Sequence, residues 1–176
     1  EITLLLVYEA TKNLPLTTTV IDTPLETISN APILAGKKPV IIPILRAGIG
    51  MVDSFLKLMP GARVGHMGLF RDEKTLMPQL YYINIPENSQ DRPIFICDLM
   101  LATGGSAKLT IDDFKKRGIK NISFICLVAA PEGVKLVCTE HPDVLFLSAS
   151  LDRGLNQDGY ILPGLGDAGD RLFGTY

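Results

Sequence analysis

The stretch "FICDLMLATGGSAKLTIDDF" (residues 95–114) passes from an apolar run, through one acid and a Thr-Gly-Gly-Ser turn, into a helical pattern. Asp98 follows Ile94, Phe95, Ile96 and Cys97, where a strand from the middle of a sheet is expected to end. Gly104 and Gly105 then occupy a helix start, a place where Ser, Thr, Asp or Asn usually caps alone. Consecutive N–H groups from Thr103 to Ser106, added to the positive helix end, form a cradle for a phosphate monoester. Glycine lets the oxygens approach without a Cβ in the way, and the Thr103 and Ser106 hydroxyls add donors. Asp98 then faces the sugar that carries the phosphate, because a carboxylate can accept from two adjacent ribose hydroxyls. A turn capped by Thr103, with Asp98 in a structural hydrogen bond, is the alternative.

The flanking chain repeats the same alternation. "PVIIPIL" (39–45), "RPIFIC" (92–97), "ISFICLVAA" (122–130) and "DVLFLSA" (143–149) are β-branched or aromatic runs of the kind found in strands covered on both faces. Between them, "AGIGMVDSFLKLM", "GGSAKLTIDDFKKRG" and "PEGVKLVCTEH" suit helices. The expected fold class is therefore α/β, a mainly parallel twisted sheet flanked by helices and joined by right-handed crossovers. In such a sheet, ligands sit at the carboxyl ends of the strands. "ARVGHMGLF" and "QLYYINI", separated by polar "RDEKTLMPQ", read as a β-arm beside that edge. The glycine-rich end, "LNQDGYILPGLGDAGDRLFGTY", reads as an ordered loop.

Composition narrows the function classes. The 176 residues suit a single domain spanning 1–176, and 47% hydrophobic with 20% charged residues suits a compact soluble fold. A net charge of −2 argues against nucleic acid as an obligatory partner, and no apolar run approaches the roughly 20 residues of a membrane span. The chain opens on Glu1 rather than Met, so a missing N-terminal segment is expected. Cys97, Cys126 and Cys138 form no CxxC pattern, which points to a reducing, cytoplasmic setting.

Other catalytic schemes fail for want of residues. His66 and His141 are the two histidines, and G-x-S-x-G, H-E-x-x-H and Walker A patterns are absent. His141, before Pro142, reads as a capping or surface residue. Gly164 to Gly169 fits G-x-G-x-x-G, yet the chain ends seven residues later with no second strand, so a dinucleotide site is rejected. Arg46 follows an apolar strand and precedes Ala47 and Gly48, where a guanidinium and bare backbone can hold a diphosphate. Arg71, in the polar tip of the arm, is a second candidate for the same role.

"DLMLATGGS" resembles the phosphoribosyl-pyrophosphate signature of the type I phosphoribosyltransferases, and most closely its uracil phosphoribosyltransferase version. "PILRAG" resembles that family's pyrophosphate loop, "FRDEKTLMP" its flexible arm, and "GYILPGLGDAGDRLFGT" its uracil-binding loop. "LVAAPEG" and "HPDV" are further matches. The resemblance implies transfer of the phosphoribosyl group of 5-phospho-α-D-ribose 1-diphosphate to uracil, giving UMP and pyrophosphate. It implies donor contacts at Arg46, Ala47, Gly48, Arg71, Asp98, Leu99, Met100, Leu101, Ala102, Thr103, Gly104, Gly105, Ser106 and Asp167. Uracil contacts fall at Tyr160, Ile161, Gly166, Asp167 and Ala168, largely through the main chain. Arg46, Arg71, Asp98 and Asp167 are the catalytic candidates, and Asp167 is the nearest to a general base.

The resemblance also implies Mg²⁺ carried mainly by the diphosphate, a homodimer or higher homo-oligomer, and GTP as an effector. One departure is Leu99, where the family signature has proline: leucine restores an N–H and loosens φ. Reduced or ordinary activity, rather than none, is expected of it. A transferase for another nucleobase, or a non-catalytic nucleotide-binding module of the same fold, are the alternatives.

Overall fold

The computed structural model describes residues 1–71 and 78–175, except for the Arg71 side chain. Helix α1 (Ile2–Thr11) precedes the strands β1 (Leu16–Asp22) and β2 (Thr27–Leu34), which pair antiparallel only with each other. The main sheet follows with β3 (Val40–Leu45), β4 (Arg63–Val64), β5 (His66–Arg71), β6 (Pro78–Asn84), β7 (Ile94–Leu101), β8 (Ile122–Ala129) and β9 (Leu145–Leu151). Its order is β6-β5-β3-β7-β8-β9, with β4 beside β3, and each neighbouring pair is parallel except β5 with β6. The mainly parallel α/β fold expected from the alternating runs is the fold observed.

The apolar runs are continuous because each strand supplies side chains to two cores. Ile42, Ile96, Phe124 and Cys126 face α3 (Gly105–Lys116) and α4 (Pro131–Glu140). Ile41, Phe95, Cys97 and Ile125 face α1 and α2 (Val52–Leu58). Cys97 and Cys126 therefore lie on opposite faces of the sheet, and all three cysteines are free. In α3, Ala107, Thr110, Ile111 and Phe114 are buried, the one-face spacing of an amphipathic helix. Lys115 and Lys116 sit in its last turn, favoured by the helix dipole, and Gly118 follows in the left-handed region at φ 82°. Phe55, Phe95, Phe114 and Phe124 are fully buried, and truncating any one to alanine costs ~3–5 kcal/mol.

The connection after β3 leaves by a 3₁₀ turn (Ala47–Met51) into α2 on one face, while that after β7 enters α3 on the other. Adjacent parallel strands whose connections part in this way open a crevice at their carboxyl ends. That crevice is where Arg46, Asp98 and the Thr-Gly-Gly-Ser turn lie.

Three details differ from the sequence expectation. Strand β7 does not end at Asp98 but continues to Leu101, because Leu99, Met100 and Leu101 remain strand-compatible and pair onward with β8. The C-terminal stretch is not only loop: β10 (Gly154–Leu155) and β11 (Ile161–Leu162) pair antiparallel, and α5 (Ala168–Phe173) follows. His141 caps the end of α4 but is only 4% exposed, so it is no surface residue.

Candidate active site

The donor cradle begins where β7 ends. Gly104 is the N-cap of α3, with φ 84°, and no side chain caps this helix. The first-turn amides of a helix have no intrahelical acceptors, so the turn presents bare N–H groups. Thr103 Oγ1 accepts the Gly105 amide at a long 3.5 Å. Gly104 serves packing as well as approach: a Cβ there would meet the Gly133 carbonyl of α4 at 3.1 Å. Gly133 is equally constrained, since its Cβ would fall 2.4 Å from the Ala102 carbonyl. The turn and α4 thus pack backbone on backbone. A hollow of about 180 Å³ opens over this turn, lined by Asp98, Met100, Thr103, Gly104, Gly105, Ser106 and Gly159, with Leu101, Ala102 and Ala107.

Asp98 is half-buried in β7. Burial pushes its carboxyl up to about 7, opposed by the amide hydrogen bonds of Leu99 and Met100. The Leu99 amide donates to Asp98 Oδ1 at 2.8 Å, a bond that proline cannot make. The Leu99 side chain does not enter the site; it packs against the core on the α1 and α2 face. The departure from the family signature therefore supplies the acid with a donor and leaves the strand intact.

A second hollow, of about 190 Å³, lies beside the first and is lined by Arg46, Ala47, Leu69, Phe70, Asp98, Ser106, Asp167 and Gly169, among others. Arg46 opens the 3₁₀ turn after β3 and is exposed. Gly48 is buried because its main chain lies on β7: a Cβ there would fall 2.3 Å from the Cys97 carbonyl. Arg71 pairs with Pro78 in the last rung of the arm before its tip, and its side chain lies outside the described residues, as do residues 72–77. The arm nonetheless abuts the cradle, since a Cβ on Gly105 would sit 3.3 Å from Pro78.

The third hollow, of about 200 Å³, is lined by Ala47, Asp98, Met100, Ala102, Gly159, Tyr160, Ile161, Gly166, Asp167, Ala168 and Gly169. Side chains shape its backbone, and Asn156, Asp152 and Glu132 among them were not candidates from the sequence. Asn156 Oδ1 accepts the Asp158 and Tyr160 amides at 3.0 and 2.8 Å. Asp152 Oδ2 accepts the Gly164 amide at 2.9 Å, and Glu132 Oε1 the Leu155 amide at 3.2 Å. Asp167 Oδ1 accepts the Asp170 amide at 2.8 Å, which caps α5. Asx-type turns of this kind were readable from "NQDGY" in principle. The contacts of Glu132 and Asp152 were not, because they depend on tertiary position.

Arg46 has a further pair of partners that the sequence did not suggest. Its Nη2 donates to Asp170 Oδ1 at 2.8 Å and its Nη1 to Thr175 Oγ1 at 3.1 Å. Elsewhere, burial pushes the Cys126 thiol up to about 12, and Cys97 is raised by the same cause, so neither is poised as a nucleophile.

Three hollows thus meet along one cleft, and Asp98 lines all of them. Comparison with known proteins gives the family. The uracil phosphoribosyltransferase family model matches residues 1–175. The chain is 58% identical over 175 residues to the uracil phosphoribosyltransferase of Enterococcus faecalis (strain ATCC 700802 / V583), covering 99% of this chain and 83% of that one. It is also 58% identical over 176 residues to the uracil phosphoribosyltransferase of Streptococcus salivarius, with the same coverage. Among solved structures, the AQ2163 protein from Aquifex aeolicus superposes with a TM-score of 0.92 at 36% identity, covering 99% of this chain and 83% of that one. An APRTase from Giardia lamblia complexed with 9-deazaadenine shares the fold alone, with a TM-score of 0.60 at 14% identity over 86% of this chain and 78% of that one. The chain belongs to the uracil phosphoribosyltransferase family.

Proposed function

We propose that the chain transfers the phosphoribosyl group of 5-phospho-α-D-ribose 1-diphosphate to uracil, giving UMP and pyrophosphate, a pyrimidine-salvage reaction. The observation that carries this reading is the position of Asp98, on the shared wall of an amide-lined turn, an arginine-bearing strand end and a glycine-rich loop. A phosphorylated sugar with a leaving group on one side and a flat base on the other needs those three chambers around its diol.

In this reading the amides of Thr103 to Ser106 hold the 5′-phosphate, with the Met100 to Ala102 backbone lining its chamber, and Asp98 accepts from the two ribose hydroxyls. Arg46, beside the Ala47 and Gly48 main chain, takes the diphosphate, and Arg71 of the arm closes over it. The bond from the anomeric carbon to the diphosphate oxygen breaks as uracil N1 bonds to that carbon, and the N1 proton leaves. Asp167 lines both the diphosphate and the base chambers, which makes it the candidate to accept that proton. Holding sugar, base and leaving group in one geometry supplies much of the rate, and the guanidinium charge stabilises the departing diphosphate.

Tyr160, Ile161, Gly166 and Ala168 present main-chain groups to the O2, N3–H and O4 edge of uracil. Cytosine, with an amine in place of O4, leaves a buried donor unpaired there. Among the described residues no three His, Cys, Asp or Glu side chains gather as a metal cage. Mg²⁺ fits as a passenger of the diphosphate, with Asp98 and Asp167 the carboxylates at hand in the same chamber. When bound, it neutralises charge on the leaving diphosphate.

One sheet with both faces covered supports residues 1–176 as a single domain. A homodimer or higher oligomer is supported by the apolar groups left outside that sheet, among them Leu5, Tyr8, Val20 and the 96% exposed Leu25. Unpaired cysteines favour a cytoplasmic setting, and among the described residues no helix is long and apolar enough to cross a membrane.

Pyrophosphate release, measured with the donor and each of uracil, cytosine, hypoxanthine and orotate, tests the assignment. Release with uracil alone at high efficiency is expected. Preference for another base defeats the substrate assignment, and binding of both substrates without release defeats the catalytic one.

A further inference from the structure

The Arg46 guanidinium, at the diphosphate side of the cleft, sits in a closed ring of hydrogen bonds. Its Nη2 donates to Asp170 Oδ1 at 2.8 Å and its Nη1 to Thr175 Oγ1 at 3.1 Å, while the Thr175 hydroxyl donates to the same Asp170 oxygen at 2.7 Å. The three residues come from distant parts of the chain. Arg46 opens the turn after β3, Asp170 lies in the first turn of α5, and Thr175 follows that helix, its amide bonded to the Asp170 carbonyl at 3.1 Å. The main chain at Gly169 lies against the guanidinium, since a Cβ there would be 3.7 Å from Nη2.

We infer that Asp170 and Thr175 are positioning residues for the transfer reaction, holding the Arg46 guanidinium at the diphosphate chamber before the donor arrives. The inference rests on the reading of Arg46 as a diphosphate ligand. A free arginine side chain samples many rotamers, and ordering it on binding costs affinity. The ring does that ordering in advance. It occupies two of the five N–H donors of the guanidinium, so three remain for phosphate oxygens.

An isolated surface ion pair contributes little to stability, and Arg46 and Asp170 side chains are 54% and 35% exposed. What the ring fixes is direction. The Thr175 hydroxyl first, and then Arg46, hold the Asp170 carboxyl below the usual carboxylate range, so it stays an anion through the neutral range. Asp170 also stands two residues beyond Ala168, so the ring joins the loop assigned to uracil to the strand end assigned to the leaving group. The side that accepts the base and the side that releases pyrophosphate share one fastening.

A double-mutant cycle tests this through steady-state kinetics with the donor varied at saturating uracil, with thermal melting as a check on folding. Asp170→Asn is expected to lower kcat/KM for the donor roughly tenfold, and Thr175→Val roughly threefold, with melting temperatures close to wild type. In an Arg46→Ala background each change is expected to cost less than about twofold, because the side chain that they orient is gone. An equal loss in both backgrounds, or no loss while Arg46 is present, overturns the inference and leaves Arg46 its role. If Arg46→Ala itself keeps wild-type donor kinetics, the diphosphate assignment of Arg46 fails and takes the inference with it. If Asp170→Asn does not fold, the same cycle with Thr175→Val decides the question.

Discussion

Two helices begin on the same cleft, and they begin in opposite ways. Helix α3 starts at Gly104 with only the long 3.5 Å contact of the Thr103 hydroxyl on its first amides, while α5 starts at Asp167, whose carboxylate takes the Asp170 amide. The bare start faces the chamber read as the phosphate site, and the capped start faces the chamber read as the base site. An anion needs donors that nothing else has claimed. A neutral, planar base instead needs a main chain held in one shape. Asp167, Asp152 and Asn156 do that holding through amide hydrogen bonds. The difference teaches that free amides and restrained amides are two ways of making backbone into a binding surface.

The contrast breaks hardest if the open helix is closed. Thr103→Asp puts a carboxylate at the α3 start, where it can cap the amides and repel a phosphate. Like charges brought together in a binding site cost several kcal/mol, so kcat/KM for the donor is expected to fall more than about 100-fold. Retention of near wild-type donor kinetics would remove the turn from the site.

Between the two helices, Asp98→Asn keeps the shape of the acid and removes its charge. A loss of roughly 1.5–3 kcal/mol in donor transition-state binding is expected, the scale of charged hydrogen bonds. Unchanged kinetics in the folded variant would free Asp98 from its role.

The capped start sharpens the comparison. Asp167→Ala is expected to destabilise the chain by ~1 kcal/mol, the usual cost of a lost N-cap, whereas Asp167→Ser keeps a capping oxygen and most of that stability. Both variants lose the carboxylate, so both are expected to lose activity. Denaturant titrations that fail to separate the two would mean that the cap does not hold α5.

The smallest effect concerns pH. Burial pushes the Asp98 carboxyl up to about 7 in the native chain, from the ordinary 3.8 of an aspartate, so between these values the native chain binds more protons than the unfolded one. The contribution of this acid to unfolding free energy therefore falls as pH rises through that window and is flat beyond it. Wild type is expected to lose melting temperature relative to Asp98→Asn between pH 4 and pH 7, and parallel curves would show that the group titrates normally.

Much of this cleft was legible in the chain itself. The sequence from Ile94 to Lys116 carries a β-branched run, an acid, two glycines and an amphipathic helix in succession, each a local signal. The extra strand residues to Leu101 were harder to read, because Asp98 looks like a terminator and is instead accommodated in β7 with help from the next amide. The hairpin of β1 and β2 was not read, although "LTTTVID" is β-branched, since nearly all of it is exposed and the core pattern sought elsewhere is missing. Asp170 and Thr175 could not be singled out at all. They meet Arg46 across 124 and 129 positions of chain, a proximity that only the folded sheet creates.

A carboxylate sunk at the crossing of three chambers also has a bearing on sugar fidelity. On the proposed assignment, a donor lacking the 2′-hydroxyl leaves one acceptor of Asp98 stranded in a poorly hydrated place, a mismatch that a site built around hydrogen bonds rejects strongly. The residue that grips the ribose would then also keep deoxyribonucleotides out of the product pool.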